Sequence, residues 1–114
     1  MPESLTVTLT EQDGMVILTP RGEIGFQEAP SFKTYFKDAF DRKARRIIAD
    51  LSQVSYMATP GLATLVEALQ ISKKGGTQLV LCGLSERVRA IFEIARLQKV
   101  FSIVDDLAAA KAAS

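Results

Sequence analysis

The chain contains no histidine and a single cysteine, Cys82. The first absence removes Ser-His hydrolases, histidine general bases and histidine-ligated metals. The second leaves neither an intrachain disulfide nor a cysteine-built zinc cluster. Charge of one sign is scarce as well, since the net charge is only +1, which argues against a strongly basic or acidic surface. Lysine and arginine do gather at Arg42, Lys43, Arg45 and Arg46. At this overall balance they read as a solvated helix end and loop, not as a nucleic-acid patch. No apolar run approaches the ~20 residues of a membrane span. The opening MPESLTVTLT alternates and lacks the basic start of a signal peptide. A cytoplasmic protein without nucleic acid, cofactor or metal is the expectation. What is present is ordinary: 47% apolar and 24% charged residues in 114, enough for one domain with its own core and too apolar for disorder.

The segment L-T-V-T-L-T at residues 5–10 alternates strictly, which predicts a strand with one buried face. Asp13-Gly14 is a turn signal, and the more continuously apolar run at 15–19 completes an antiparallel hairpin. Residues 20–25 read as irregular. Ala29, Phe32, Phe36, Ala39 and Phe40 follow at helical spacing behind Pro30, which suits a first helical turn. I-I-A-D-L at 47–51 reads as a buried strand followed by a polar loop. A second helix is predicted over 60–74, with Leu62, Leu65, Val66 and Leu69 as its stripe and Gly75-Gly76 as its stop. Residues 77–82 form a further strand ending in Cys82, a small core residue. Ser85 caps a third helix bearing Val88, Ile91, Phe92 and Ala95. A short edge strand at 101–104 and a final helix capped by Asp105 or Asp106 close the chain. The order β-β-α-β-α-β-α-β-α implies an α/β sandwich with a mixed, mostly parallel sheet, an N-terminal β-hairpin and about four helices.

The most informative stretch runs from residue 50 to 69, D-L-S-Q-V-S-Y-M-A-T-P-G-L-A-T-L-V-E-A-L. Thr59 falls at the expected N-cap of the second helix and Pro60 at its first position. A hydroxyl there has two readings. It can be a plain cap worth ~1 kcal/mol. It can also be a phosphoacceptor, because a phosphate at that point meets the positive end of the helix dipole and the amides of Gly61 and Leu62.

D-L-S-x-V-x-Y-M-x-T-x-G-L at 50–62 resembles the signature of the STAS domain, the fold of bacterial anti-sigma factor antagonists. In that family D-S-S-G-L or D-S-T-G-L follows D-L-S-x-V-x-F/Y-M. R-G-E-I at 21–24, G-G-T-Q-L-V-L at 75–81, V-x-x-I-F-E-I-A-x-L-x-K-V-F-x-I at 88–103 and the D-D-x-x-A-A tail resemble further pieces of the family in the same order. The resemblance implies a single STAS-like domain over residues 1–114. It places Thr59 on the residue that a partner serine kinase phosphorylates, that kinase doubling as the anti-sigma factor. Three positions depart from the pattern. Ala58 falls on the acidic residue before the phosphoacceptor, Gly25 on the acidic residue of G-E-L-D, and Pro60 on the second Ser or Thr.

The resemblance therefore implies a partner-switching module rather than an enzyme. Tyr56, Met57, Ala58 and Gly61, with Thr64 as an exposed helix position, are the expected partner-binding residues around Thr59. The partner would be an anti-sigma factor with a serine-kinase-type ATP-binding domain. The alternative is a non-phosphorylated adaptor subunit of a transporter ATPase or a signalling scaffold, which the altered D-S-S-G segment favours. Glu23 and Asp50 are carboxylates of the kind an enzyme would need. However, no carboxylate pair and no nucleophile with a nearby base can be read from the sequence. Asp50 reads as a residue that bonds loop amides, and Glu23 as lining the switch loop or simply exposed. Tyr56 can pack under the loop or offer a surface contact.

Overall fold

A computed structural model describes residues 5–113; residues 1–4, part of the segment read above as lacking a leader, lie outside it. The elements run β1 (Thr6–Gln12), β2 (Met15–Ile24), α1 (Ala29–Asp41), β3 (Arg46–Asp50), β4 (Val54–Met57), α2 (Thr59–Gly75), β5 (Gln78–Cys82), α3 (Glu86–Ile94), β6 (Ser102–Val104) and α4 (Leu107–Ala112). One sheet carries the order β1-β2-β3-β5-β6. β1 and β2 are antiparallel, and β3, β5 and β6 extend β2 as parallel neighbours.

The hairpin turns where the sequence places it. Asp13 and Gly14 have φ of 54° and 77°, the paired positive values of a two-residue turn that matches strand twist. The central strands are apolar throughout because both faces are covered. Val16, Leu18, Ile47, Ala49, Leu79 and Leu81 point into the core beneath α1, α2 and α3. The alternate residues Met15, Ile17, Ile48, Val80 and Cys82 point to the opposite face, where α4 packs through Ala110. β1 stands at the edge with one face to solvent, so only Val7 and Leu9 turn partly inward. The caps of α3 and α4 also fall as expected. Ser85 Oγ accepts from the Val88 amide at 3.2 Å and Asp106 Oδ1 from that of Ala109 at 2.9 Å.

Three features differ from the sequence-based expectation. Residues 20–24 are strand, not irregular, and the loop after Leu51 returns to the sheet as β4. β4 pairs in parallel with the far half of β2, Ile24 opposite Met57. β3 pairs with the near half, Met15 through Leu18. One long strand thus serves two successive short ones along a single edge. The turn between them is closed by Val54 N donating to Leu51 O at 3.0 Å and by Ser52 N donating to Asp50 Oδ1 at 3.1 Å.

The third difference is Arg46, expected to be solvated. It is buried, and its guanidinium donates to Gln78 Oε1 at 2.8 Å, Ala110 O at 3.1 Å, Lys111 O at 2.7 Å and Ala113 O. A cation is thereby fixed at the C-terminal end of α4, where carbonyls lack helical partners and the dipole favours positive charge.

Candidate functional site at the start of the second long helix

β4 delivers the chain directly to α2. Ala58 sits between them with φ −82° and ψ 167° and occupies the N-cap. Its amide donates to Ile24 O at 2.8 Å, and its carbonyl accepts from Gly61 N at 2.9 Å and Leu62 N at 3.2 Å. The expected assignment of Thr59 to the N-cap is therefore corrected by one residue: Thr59 is the first helical residue and Pro60 the second. No side chain caps this helix; the backbone of Ala58 does the work. The amides of Gly61 and Leu62, expected to be open to a phosphate, are both directed at Ala58 O.

Gly61 is required here by space. A Cβ at that position would stand 2.7 Å from Met57 Cγ and 3.0 Å from Ile24 Cγ2. Met57 and Ile24 are themselves buried. The first turn of α2 is thus pressed against the paired ends of β2 and β4, which leaves Thr59 outward and exposed.

The other expected contact residues divide by burial. Met57, Ala58 and Gly61 are buried beneath the Thr59 surface. Thr64, expected on the exposed side, is buried too, and its Oγ1 donates to Pro60 O at 2.9 Å. It faces the junction of α1 and α2, so the covered arc of α2 is wider than the apolar stripe suggests. Tyr56 is half-buried, with the Arg87 guanidinium carbon 5.3 Å from its ring centroid. This cation–π contact brings the first turn of α3 to the same surface. Glu23 lies opposite Tyr56 in the β2–β4 register and is exposed.

Phe26 was not anticipated. It is exposed in the turn before α1 and shares a shallow depression with Pro60 and Ala63. Its signal in the sequence is slight, a lone aromatic between glycine and glutamine. Nearby, Gly25 N donates to Glu28 Oε1 at 2.9 Å. That oxygen stands 2.8 Å from where a Cβ of residue 25 would be. A carboxylate from three residues downstream therefore fills the space beside Gly25.

Cys82 is buried at the end of β5, and its thiol is pushed up from 9.0 to about 12 by desolvation and then by the Asp50 and Asp106 carboxylates. It is held protonated at neutral pH, which makes it a poor nucleophile. Among the described residues, no three of the acidic and cysteine side chains come together as a metal-binding group.

The family model for the STAS domain matches residues 6–110. The chain belongs to the STAS domain family. It is 31% identical to BtrV of Bordetella bronchiseptica over 110 residues, which is 96% of this chain and 94% of that one. It is 30% identical to the anti-sigma-B factor antagonist of Listeria monocytogenes over 101 residues, covering 88% of this chain and 89% of the relative. The crystal structure of an anti-sigma factor antagonist from Mycobacterium paratuberculosis has the same fold. It superposes with a TM-score of 0.89 at 21% identity over 98% of this chain and 95% of that one. The matched residues run from the first residue of β1 into α4, and no helix among the described residues is long and apolar enough to cross a membrane.

Proposed function

We propose that this STAS domain is an anti-sigma factor antagonist: it binds an anti-sigma factor through the surface at the start of α2, and phosphorylation of Thr59 releases it. The observation that carries the reading is the placement of Thr59. Its hydroxyl is exposed on a helix turn that Ala58 and Gly61 fasten rigidly to the sheet. A kinase can reach it, and a partner can dock on it without the turn rearranging.

The chemistry needs no catalysis by this chain. Around Thr59 the exposed or half-exposed surface is partly apolar, made by Pro60, Ala63, Phe26 and Tyr56, with charges of both signs, Glu23 and Arg87, beside Tyr56. A phosphate would bring a charge of about −1.5 to −2 into that surface. With Ala58 rather than a carboxylate before it, the phosphate meets no like charge from its neighbour. Its own helix holds it weakly as well, because Pro60 has no N–H and the next two amides are committed to Ala58 O. The phosphate stays outward, where it repels and desolvates unfavourably against a closely fitted partner. The partner fitting this reading is an anti-sigma factor with a serine-kinase-type ATP-binding domain in the cytoplasm.

A second reading, a constitutive adaptor for a transporter ATPase or a signalling scaffold, is favoured by the same committed amides, since they leave the helix end poorly suited to cradle a phosphate. Phosphosite mapping of the protein from growing and stressed source cells, with phosphatases blocked, separates the two. Condition-dependent phosphate on the Thr59 peptide supports the switch. Full coverage of that peptide with no phosphate in any condition supports the adaptor.

A further inference from the structure

A further surface adjoins the one around Thr59 and shares Phe26, Pro60 and Ala63 with it. A groove runs between α1 and α2, beginning where Phe26 meets Pro60 and Ala63. Its middle is lined by Phe36 and Ala68 and encloses about 270 Å³. Its far end passes Ile71 to reach Thr77. It follows the 17 residues of α2, about 25 Å of helix at 1.5 Å per residue. Phe26 is 73% exposed and Ile71 51%. Single exposed apolar residues are ordinary, but these two stand at the two ends of one groove, whose apolar floor is crossed only by the exposed Lys33–Glu67 pair, and apolar residues grouped in this way mark an interaction surface.

The charges along the groove decide what fits. Lys33, Lys37 and Lys43 edge it from the α1 side and the loop beyond. Lys33 reaches across to Glu67 at 3.2 Å, with both side chains exposed, so the pair exchanges partners at little cost. Among the described residues neither Lys37 nor Lys43 makes an ion pair, and Asp41 is the only other acid in the lining. These cations are spread along the groove. A single-headed amphiphile would match one of them and leave the rest. A helix with acidic residues along one edge matches them in series, as charged flanks do beside the apolar seam of paired helices.

We propose that this groove docks an amphipathic helix of a protein partner, about 15 residues long, with apolar side chains at three- and four-residue spacing and acidic residues on the edge facing α1. The mode is a helix laid into a groove by its apolar anchors. It goes beyond the reading of Thr59 and stands without it.

Site-specific photo-crosslinking in the source cells tests it. A photo-reactive residue is placed in the full chain at position 71, at position 23, which is exposed opposite Tyr56 on the Thr59 surface and outside the groove, and at position 94, where Ile94 is 83% exposed on α3. The crosslinked peptides are then sequenced. Position 71 is expected to capture a peptide with helical apolar spacing and an acidic edge. Capture should fall roughly tenfold when Lys37→Glu and Lys43→Glu are combined. Both lysines are exposed, and Lys37→Gln with Lys43→Gln should give the same direction with a smaller loss. A lipid adduct at position 71, a second copy of this chain, a peptide without acidic residues, a yield no higher than at position 94, or indifference to the charge reversal each overturns the proposal. Capture at 23 but not at 71 supports the Thr59 surface and overturns the groove. Capture of the acidic helix at 71 but not at 23 supports the groove and counts against the Thr59 surface.

Discussion

The amide of Ala58 donates to the carbonyl of Ile24 at 2.8 Å, and this bond ties the first turn of α2 to the end of β2. It explains how an alanine can hold an N-cap position. The cap geometry comes from strand pairing, and Ile24 is opposite Met57 one residue earlier. The exposed Thr59 is consequently set on a helix turn bonded to the sheet rather than on a free loop.

The tight fit at Gly61 makes that attachment testable. Gly61→Ala places a methyl 2.7 Å from Met57 Cγ and 3.0 Å from Ile24 Cγ2. Overpacking of this kind costs about 1–3 kcal/mol, more than the gain in helix propensity of about 1 kcal/mol for alanine over glycine. Urea denaturation should show a net loss of stability.

Arg46 holds α4 in place through the carbonyls of Ala110, Lys111 and Ala113. Arg46→Ala removes the side-chain donor to Lys111 O and Ala113 O and leaves Ala110 O only the Ala113 amide at 3.4 Å. A loss of about 2–3 kcal/mol is expected for hydrogen bonds made by a charged group. Amide hydrogen exchange should rise first in α4. Arg46→Lys should recover only part of the loss, because an ammonium lacks the planar set of donors.

Cys82 gives a pH signature. Its thiol ionises near 9.0 when unperturbed and near 12 in the fold, because of burial and then Asp50 and Asp106. Above the lower value the unfolded chain gives up a proton that the folded chain keeps. Stability is therefore undiminished below pH 9.0 and declines between 9.0 and about 12. Chemical denaturation across that range should show less decline for Cys82→Ala than for the parent chain. The native thiol should also resist alkylation at neutral pH.

Much of the architecture was legible because it follows local rules. Asp13-Gly14 fixes the hairpin, Ser85 and Asp106 cap their helices, and Gly76 ends α2 in the left-handed conformation with φ 73°. The strand Val54–Met57 was not, since only its two end residues are buried and its four residues resemble a polar loop. The burial of Arg46 leaves no local signal, because its carbonyl partners lie 64 to 67 residues away. The core of the site was legible as a segment but not in its detail. The motif at 50–62 points to Thr59, while the one-residue shift of the cap depends on a bond to Ile24 that only the sheet reveals. The stripe of leucines points Thr64 outward, because it does not show that α1 covers a second side of α2.

The most direct measurement is calorimetric titration of the anti-sigma factor with the parent chain, Thr59→Ala and Thr59→Glu. Thr59 is exposed, so neither change should move stability by more than about 0.5 kcal/mol. Thr59→Ala should bind within a fewfold of the parent. Thr59→Glu should bind roughly 100-fold more weakly or not at all, a loss of about 2.7 kcal/mol or more. Equal affinity for all three would show that charge at position 59 does not control the interface, and would contradict the account.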